Sequence, residues 1–533
     1  MLVVACLSAA GAAALEPAVT EAWNRIDSEH FTFFTNANRS LVASLATDLE
    51  KLRLVLIAMT EGITFDAPPP LSIYALKDDW TFTRLDTSAD GRSRRDAGYF
   101  LWTPEAQFLA VNVVVIDEHY SALSHEYLHA LLQTNFPNLP TWLDEGLAEY
   151  YGAFEIDGLK AEVGRPIPFH LARLSGGLAI PVNRLVTITT ESAEYSSEPA
   201  QGDFYAESWA LVHFLLADPA RRETMGQFCR LLADGKPLDE ALATAFHLDI
   251  PGLASGLAEH VRKGTFEFVT LTLRKDIHIP KPKMTSLQRA EALYRVGDLL
   301  ARYAPSREEA AREYLLPALA KDPALAGARA TLGYLALANG RYKEAQAELG
   351  RAVELDPRNA GTFALLGRAT LEAVAAPGEG AGAGAGAGAE VGARAGAEVA
   401  AGAGVGAGAN VGASPNQVAA VAAAHSARAW FRRGLAVDPD SVENLAGLGR
   451  TFIIDPEGAA EGITSLARAR ELAPGRNDLL GDLLVLMARS GNPAGAHTLL
   501  QALLRPRRAP HEIARVEEAI AAAERQPAKP TPR

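Results

Sequence analysis

A 34-residue self-similarity in the second half of the chain limits its folding options more than any other feature. From about Leu287, apolar residues recur at helical spacing in paired segments, and several positions return at that one period. Leu332-Gly333 recurs as Leu366-Gly367, and Ala311, Leu315, Ala318 and Pro323 recur as Ala345, Leu349, Ala352 and Pro357. After an interruption the register resumes with Phe431 and Pro439, then Leu448-Gly449, then Leu466, Ala469 and Pro474 with one extra residue. Each unit reads as a helical pair in which small residues let the helices approach and the proline ends the second. Such a unit cannot bury its apolar side alone, so stacking into an all-α solenoid is predicted over residues 287–376 and 417–525. Between them, residues 377–416 alternate Gly and Ala, bury little apolar surface per ordered residue, and are expected to form a flexible insertion. The proline-containing end, 526–533, is expected to be a disordered tail.

The first half lacks that period. His30-Phe31-Thr32-Phe33-Phe34-Thr35 is β-favouring, and helical spacing follows over Leu41–Met59. Leu71–Leu76, Gly98–Trp102 and Phe108–Ile116 read as strands, Tyr120–Gln133 as a helix, and a further helix follows Pro140. The chain then reads as largely helical to about Val261. With its sheet early and its helices late, residues 25–265 read as one α+β unit. Before it, Leu2 to Ala14 is apolar and ends in small residues, so residues 1–15 read as a signal segment and the protein as exported. No Lys or Arg precedes Arg25, which departs from the usual signal; Cys6 gives a lipid anchor as the lesser alternative. No later stretch reaches the ~18 apolar residues of a membrane span. The formal charge of −13 leaves no basic surplus for phosphates and argues against nucleic acid as a partner. Two cysteines, Cys6 and Cys229, are too few for a disulfide framework or a cysteine zinc site.

Chemistry concentrates in His125-Glu126-Tyr127-Leu128-His129. Histidines at i and i+4 stand one turn apart on one helix face, so both imidazoles can reach one ion. Glu126 is rotated off that face, where its carboxylate meets a reacting water rather than the metal, the position of a general base. Leu123, Tyr127, Ala130 and Leu131 share another face for packing. Alone, this pattern also suits an amphipathic helix with two surface histidines. The next segment adds to it. Asn135, Pro137 and Pro140 make a turn, and Thr141 followed by Asp144 offers a capping signal for a second helix, Trp142–Tyr151. An antiparallel return places Glu145, 16 positions after His129, as a third ligand. Two histidines and a carboxylate hold one Zn2+ and leave a coordination position open for water. Glu149, one turn on, reads as an acceptor that orients a ligand histidine, against the plainer reading of a surface glutamate. Gly146 would let the two helices approach. His30, His119 and His170 have no spacing that recruits them and read as structural.

Together, His125–His129 and Trp142–Tyr150 resemble the gluzincin clan of zinc peptidases, in particular the compact peptidase-MA-like domains fused to tetratricopeptide repeats in secreted bacterial proteins. The resemblance covers about residues 25–265, and the 34-residue period is that of tetratricopeptide repeats. It implies a zincin-like catalytic domain that hydrolyses peptide bonds in a peptide or protein substrate, with Glu145 as a zinc ligand. It implies further that the strand before the metal helix, Phe108–Ile116, presents an edge to an extended peptide. A tyrosine hydroxyl steadies the oxyanion in several such enzymes, which makes Tyr205 the candidate here, on a helical face with Trp209 and His213; the bland reading of that face is an aromatic core stripe. No motif fixes the substrate-binding residues. The repeats are expected to present a concave surface to substrate or a protein partner. The alternative is an interaction scaffold that keeps zinc but turns over slowly; the presence of Glu126 favours catalysis.

Overall fold

Period-2 alternation in the strand segments builds a mixed sheet that is apolar on both faces. The computed structural model describes residues 22–66, 71–78, 98–103, 106–113, 122–197, 199–273, 279–303, 308–375, 415–504 and 510–525. Residues 1–15, read above as a signal segment, His119, nearly all of the Gly/Ala-rich stretch and residues 526–533 lie outside the described residues. In chain order come β1 (Asn24–Asp27), β2 (Thr32–Thr35), α1 (Arg39–Met59), β3 (Leu71–Leu76), β4 (Gly98–Thr103), β5 (Ala106–Asn112), α2 (Ala122–Asn135) and α3 (Thr141–Gly152). A hairpin of β6 (Phe154–Asp157) and β7 (Lys160–Val163) follows. Then come α4 (Pro168–Leu174), α5 (Val182–Leu185), α6 (Ala193–Ser196), α7 (Ala200–Ala217), α8 (Pro219–Ala233), α9 (Leu238–Phe246) and α10 (Ile250–Lys263). β8 (Val269–Thr272) and β9 (Lys283–Ser286) lead into the helical array.

The main sheet runs β4-β5-β3-β2-β1-β9, with β2, β3 and β5 mutually parallel and the remaining pairs antiparallel. One expectation needs correction. The strand before the metal helix is interior, bonded to β3 on one side and β4 on the other, so β4 is the edge strand and not Phe108–Ile116. The stretch from α3 to about Val261 is largely helical, as expected, apart from the β6–β7 hairpin, which joins β8 in a second, three-stranded sheet. Asp157-Gly158, with Gly158 at φ 59°, is the short-range hairpin signal that helical spacing obscures.

One face of the main sheet, with Phe33, Ile73, Ala75, Leu109 and Val111, packs on α1 and α2. The other presents Phe34, Tyr74, Tyr99, Phe108 and Ala110 to the helical array. That array comprises α11 (Arg289–Tyr303), α12 (Glu308–Lys321), α13 (Ala326–Ala338), α14 (Tyr342–Leu355), α15 (Ala360–Ala375), α16 (Pro415–Val437), α17 (Val442–Ile454), α18 (Ala459–Leu472), α19 (Asn477–Arg489), α20 (Pro493–Leu499), a π-helical turn at Leu500–Leu504, and α21 (Pro510–Glu524). α11 covers the sheet directly. Tyr74 donates its hydroxyl to the Arg295 carbonyl at 3.1 Å, the Arg295 guanidinium lies 4.2 Å from the Phe34 ring centre, and the Tyr99 and Tyr303 rings are 4.8 Å apart.

The chain is thus an N-terminal α+β region followed by paired antiparallel helices of tetratricopeptide-like form. The repeat signals have a steric reason. A Cβ on Gly297, Gly333 or Gly367 would come within 2.5–2.8 Å of Leu315, Leu349 or Phe431 on the second helix of the same pair. Each of Pro323, Pro357, Pro439 and Pro474 stands two residues past the end of such a helix. Phe431 fills the notch at Gly367, so α16 packs on α15. Further along the array the α18–α19 turn returns to the N-terminal region: Gly475 abuts Pro137, and the Arg476 guanidinium lies 5.8 Å from the Trp102 ring centre. No described helix is long and apolar enough to cross a membrane.

Burying Phe34, Tyr74, Tyr99 and Phe108 is worth roughly 2 kcal/mol each, together comparable with the whole stability of a typical domain. A chain ended after Ser286 is therefore expected to bind a hydrophobic dye and aggregate, although it keeps every strand of the main sheet. A monomeric, cooperatively melting fragment would contradict this account.

Candidate metal centre

α2 carries His125, Glu126 and His129 on one side and buries Leu123, Tyr127 and Leu131 on the other, where Tyr127 meets the Phe31 ring edge-on at 5.1 Å. Leu139 and Pro140 follow a left-handed Asn138 (φ 67°), and α3 returns antiparallel from Thr141. The expected cap does not form: Pro140 is the N-cap residue, without a side-chain cap bond. Asp144 instead turns toward His129, with Oδ2 3.0 Å from Nδ1 at an angle outside hydrogen-bond geometry. Gly146 does permit a close approach, but to α7 and not to α2; a Cβ there would lie 2.5 Å from the Ser208 carbonyl oxygen. That contact fixes α3 so that Glu145, one residue earlier, faces the histidine pair.

The Nε2 atoms of His125 and His129 are 2.9 Å apart, and Glu145 Oε2 lies 3.3 and 3.4 Å from them. These are the only His, Cys, Asp or Glu groups among the described residues whose ligand atoms gather closely enough for a metal. All three are largely buried, and Glu145 Oε2 makes no hydrogen bond. The other Glu145 oxygen accepts the Tyr195 hydroxyl at 2.9 Å. Glu149 Oε1 lies 3.7 Å from His125 Nδ1, so each imidazole of the pair has its own carboxylate behind it: Glu149 for His125, Asp144 for His129.

Electrostatics favour a cation. Burial alone would lower both imidazole pKa values, but the Glu145 carboxylate facing His125, and the Asp144 and then Glu145 charges at His129, raise them above the ordinary value. Burial would raise Glu145, yet the His129 and His125 imidazoles that face it pull it well below the usual carboxylate range. Two zinc ligands at about 2.0–2.2 Å in a tetrahedral array stand about 3.3–3.6 Å apart. The observed edges match this once the imidazole pair opens by about half an ångström.

The cluster opens on a cleft of about 930 Å³ whose lining includes Gly98, Phe100, Trp102, Glu126, Thr190, Tyr195 and Tyr205. Glu126 stands beside the edge strand: a Cβ on Gly98 would come within 3.0 Å of its Cγ. Tyr205 lines the cleft, its ring 6.1 Å from that of Tyr195. His213 does not reach the cleft. It is buried with Nδ1 3.0 Å from His260 Nε2, and burial pushes its pKa down to about 4. Trp209 and His213 thus follow the core-stripe reading. The sequence reading missed Tyr195, Asp144 as a histidine partner, and His170, whose Nε2 lies 3.0 Å from Glu149 Oε2. For Tyr195 and His170 no spacing signal exists, because they sit on short helices of their own, α6 and α4, away from the two ligand helices.

The sequence model of one family, described as a protein of unknown function (DUF1570), matches residues 119–239. That is less than a quarter of the chain, but it contains both ligand helices, His170, Tyr195 and Tyr205. No curated protein matches. Solved structures similar to the chain include a thermophilic TPR protein of Thermus thermophilus, TTC0263, at 18% identity over 44% of this chain and 98% of that one, with a TM-score of 0.29. YrrB, described as a TPR protein with an unusual peptide-binding site, is 16% identical over 43% of this chain and 92% of its own, TM-score 0.29. The MamA protein is 15% identical over 45% and 98%, TM-score 0.27.

Protons and metal compete for the same Nε2 lone pairs. With both pKa values above the ordinary ~6.5, zinc affinity is expected to fall about tenfold or more per pH unit between about pH 7 and about pH 6. Chelator competition at each pH measures this, and a constant affinity would exclude the imidazoles as ligands.

Proposed function

We propose that the chain is a zinc-dependent peptide hydrolase of the gluzincin type. The observation that carries this reading is the convergence of His125, His129 and Glu145 at the foot of a cleft that also exposes Glu126. His125, His129 and Glu145 would hold the zinc. When bound, zinc polarises the scissile carbonyl and lowers the pKa of an attacking water toward ~7. Glu126 accepts the proton of that water on its carboxylate and returns it to the leaving amine. Tyr205, half-buried in the cleft wall, donates its hydroxyl to the oxyanion that develops on the substrate. Tyr195 orients Glu145 through the bond to its outer oxygen, and Glu149 and Asp144 orient the imidazoles. β4, with Gly98 beside Glu126, is the strand along which an extended peptide would pair, its main chain recognised independently of sequence. The repeats beyond the helix that covers the sheet would recruit substrate or a protein partner.

Glu126→Gln should bind zinc as the parent does and lose at least about a hundredfold in cleavage of a peptide library, the scale of a general base. Equal cleavage by the two proteins would remove Glu126 from the mechanism and leave a zinc-holding scaffold. The two tyrosines should separate. Tyr195→Phe is expected to weaken zinc binding, whereas Tyr205→Phe should lower kcat about tenfold to a hundredfold with zinc affinity unchanged. Kinetics and chelator competition on both variants read this out.

A further inference from the structure

We infer that His170 is a positioning residue of the metal centre, acting through Glu149 on the ligand His125. The inference rests on the zinc reading above and adds a component from outside the two ligand helices. His170 sits in the first turn of α4, after Pro168, with its ring 6.0 Å from Phe169 and 5.7 Å from Trp209. Its Nε2 lies 3.0 Å from Glu149 Oε2, while the other oxygen of that carboxylate faces His125 Nδ1 at 3.7 Å. The three side chains form a line, imidazole to carboxylate to imidazole, with residue exposures of 4%, 5% and 8%.

A carboxylate this deeply buried needs donors to stay ionised. Ionised Glu149 accepts the His170 Nε2–H on Oε2, which sets the rotation of the carboxylate plane and turns Oε1 toward His125. A proton on His125 Nδ1 is thereby favoured, so its Nε2 keeps the lone pair that points at His129 and Glu145. Without His170, the Glu149 carboxylate would be free to rotate, and the tautomer of His125 would lose its guide.

His170 is not explained by packing. Its Nδ1 is buried and has no hydrogen-bond partner among the described residues, so an apolar side chain would fill the space at less cost. The ring's hydrogen bond goes to Glu149. The cleft wall also includes His170, which places this line of groups beside the substrate space and not in the distant core.

Two substitutions of the full chain divide the possibilities. His170→Phe keeps a ring between Phe169 and Trp209 and removes the donor; His170→Gln keeps an N–H at the position of Nε2 and removes the ring. Zinc dissociation constants, measured with the metal alone by chelator competition, should rise about tenfold for Phe and stay within about threefold of the parent for Gln. A space-filling role predicts the opposite order. Phe binding zinc as tightly as the parent, or Gln binding more weakly than Phe, overturns the proposal. Circular dichroism checks that each variant folds, and His170→Met replaces the Phe variant should the phenyl ring not fit. Failure of the parent to take up zinc would sink the zinc reading itself, and the parent alone reveals that outcome.

Discussion

A sheet with two apolar faces can be stable only if something covers both. Here α1 and α2 cover one face and α11 covers the other, so the metal helix and the first repeat share a single slab of strands. The position of α2 over the sheet fixes where His125 and His129 can point. The second face makes the repeats part of the same folded body: Phe34, Tyr74, Tyr99 and Phe108 are as much solenoid core as sheet core. β9 reinforces this, because it adds the last strand to the sheet immediately before α11 begins.

The metal cluster follows from a second constraint, the balance between burial and charge. Two imidazoles and four nearby carboxylates, Glu126, Asp144, Glu145 and Glu149, form a site where negative groups outnumber the protons that two histidines can carry. Such a concentration would be costly to bury without internal compensation. Pairing supplies part of it, as each ligand imidazole faces a carboxylate on its outer nitrogen and Glu145 on its inner one. A divalent cation would complete it once the imidazole pair opens by about half an ångström.

Much of this was legible in the chain itself. The histidine pair, Glu145 and Glu149 lie on helices whose periodicity is strong, and one-turn spacings convert directly into geometry. The 34-residue register likewise became stacked helices, because its Gly and Leu positions are steric partners. The failures have physical causes too. Strand order depends on pairing between distant segments, so β5 read as an edge when β4 holds that place. Gly146 showed that two backbones come close without showing which two, and the partner is α7. Asp144 looked like a helix cap because capping and histidine pairing ask for the same side chain. Tyr195 and His170 arrive on α6 and α4, short helices whose placement comes from the core around Trp209 and Phe204 and not from any local pattern.

The contact of Gly475 with Pro137 closes a loop of structure. The repeat array touches the sheet at α11 and touches the α2–α3 turn again through its α18–α19 turn, and the α2–α3 turn joins the two helices that bear the candidate ligand side chains. Lifting α18 and α19 away from the sheet therefore means parting Gly475 from Pro137, on the short stretch of chain between His129 and Glu145.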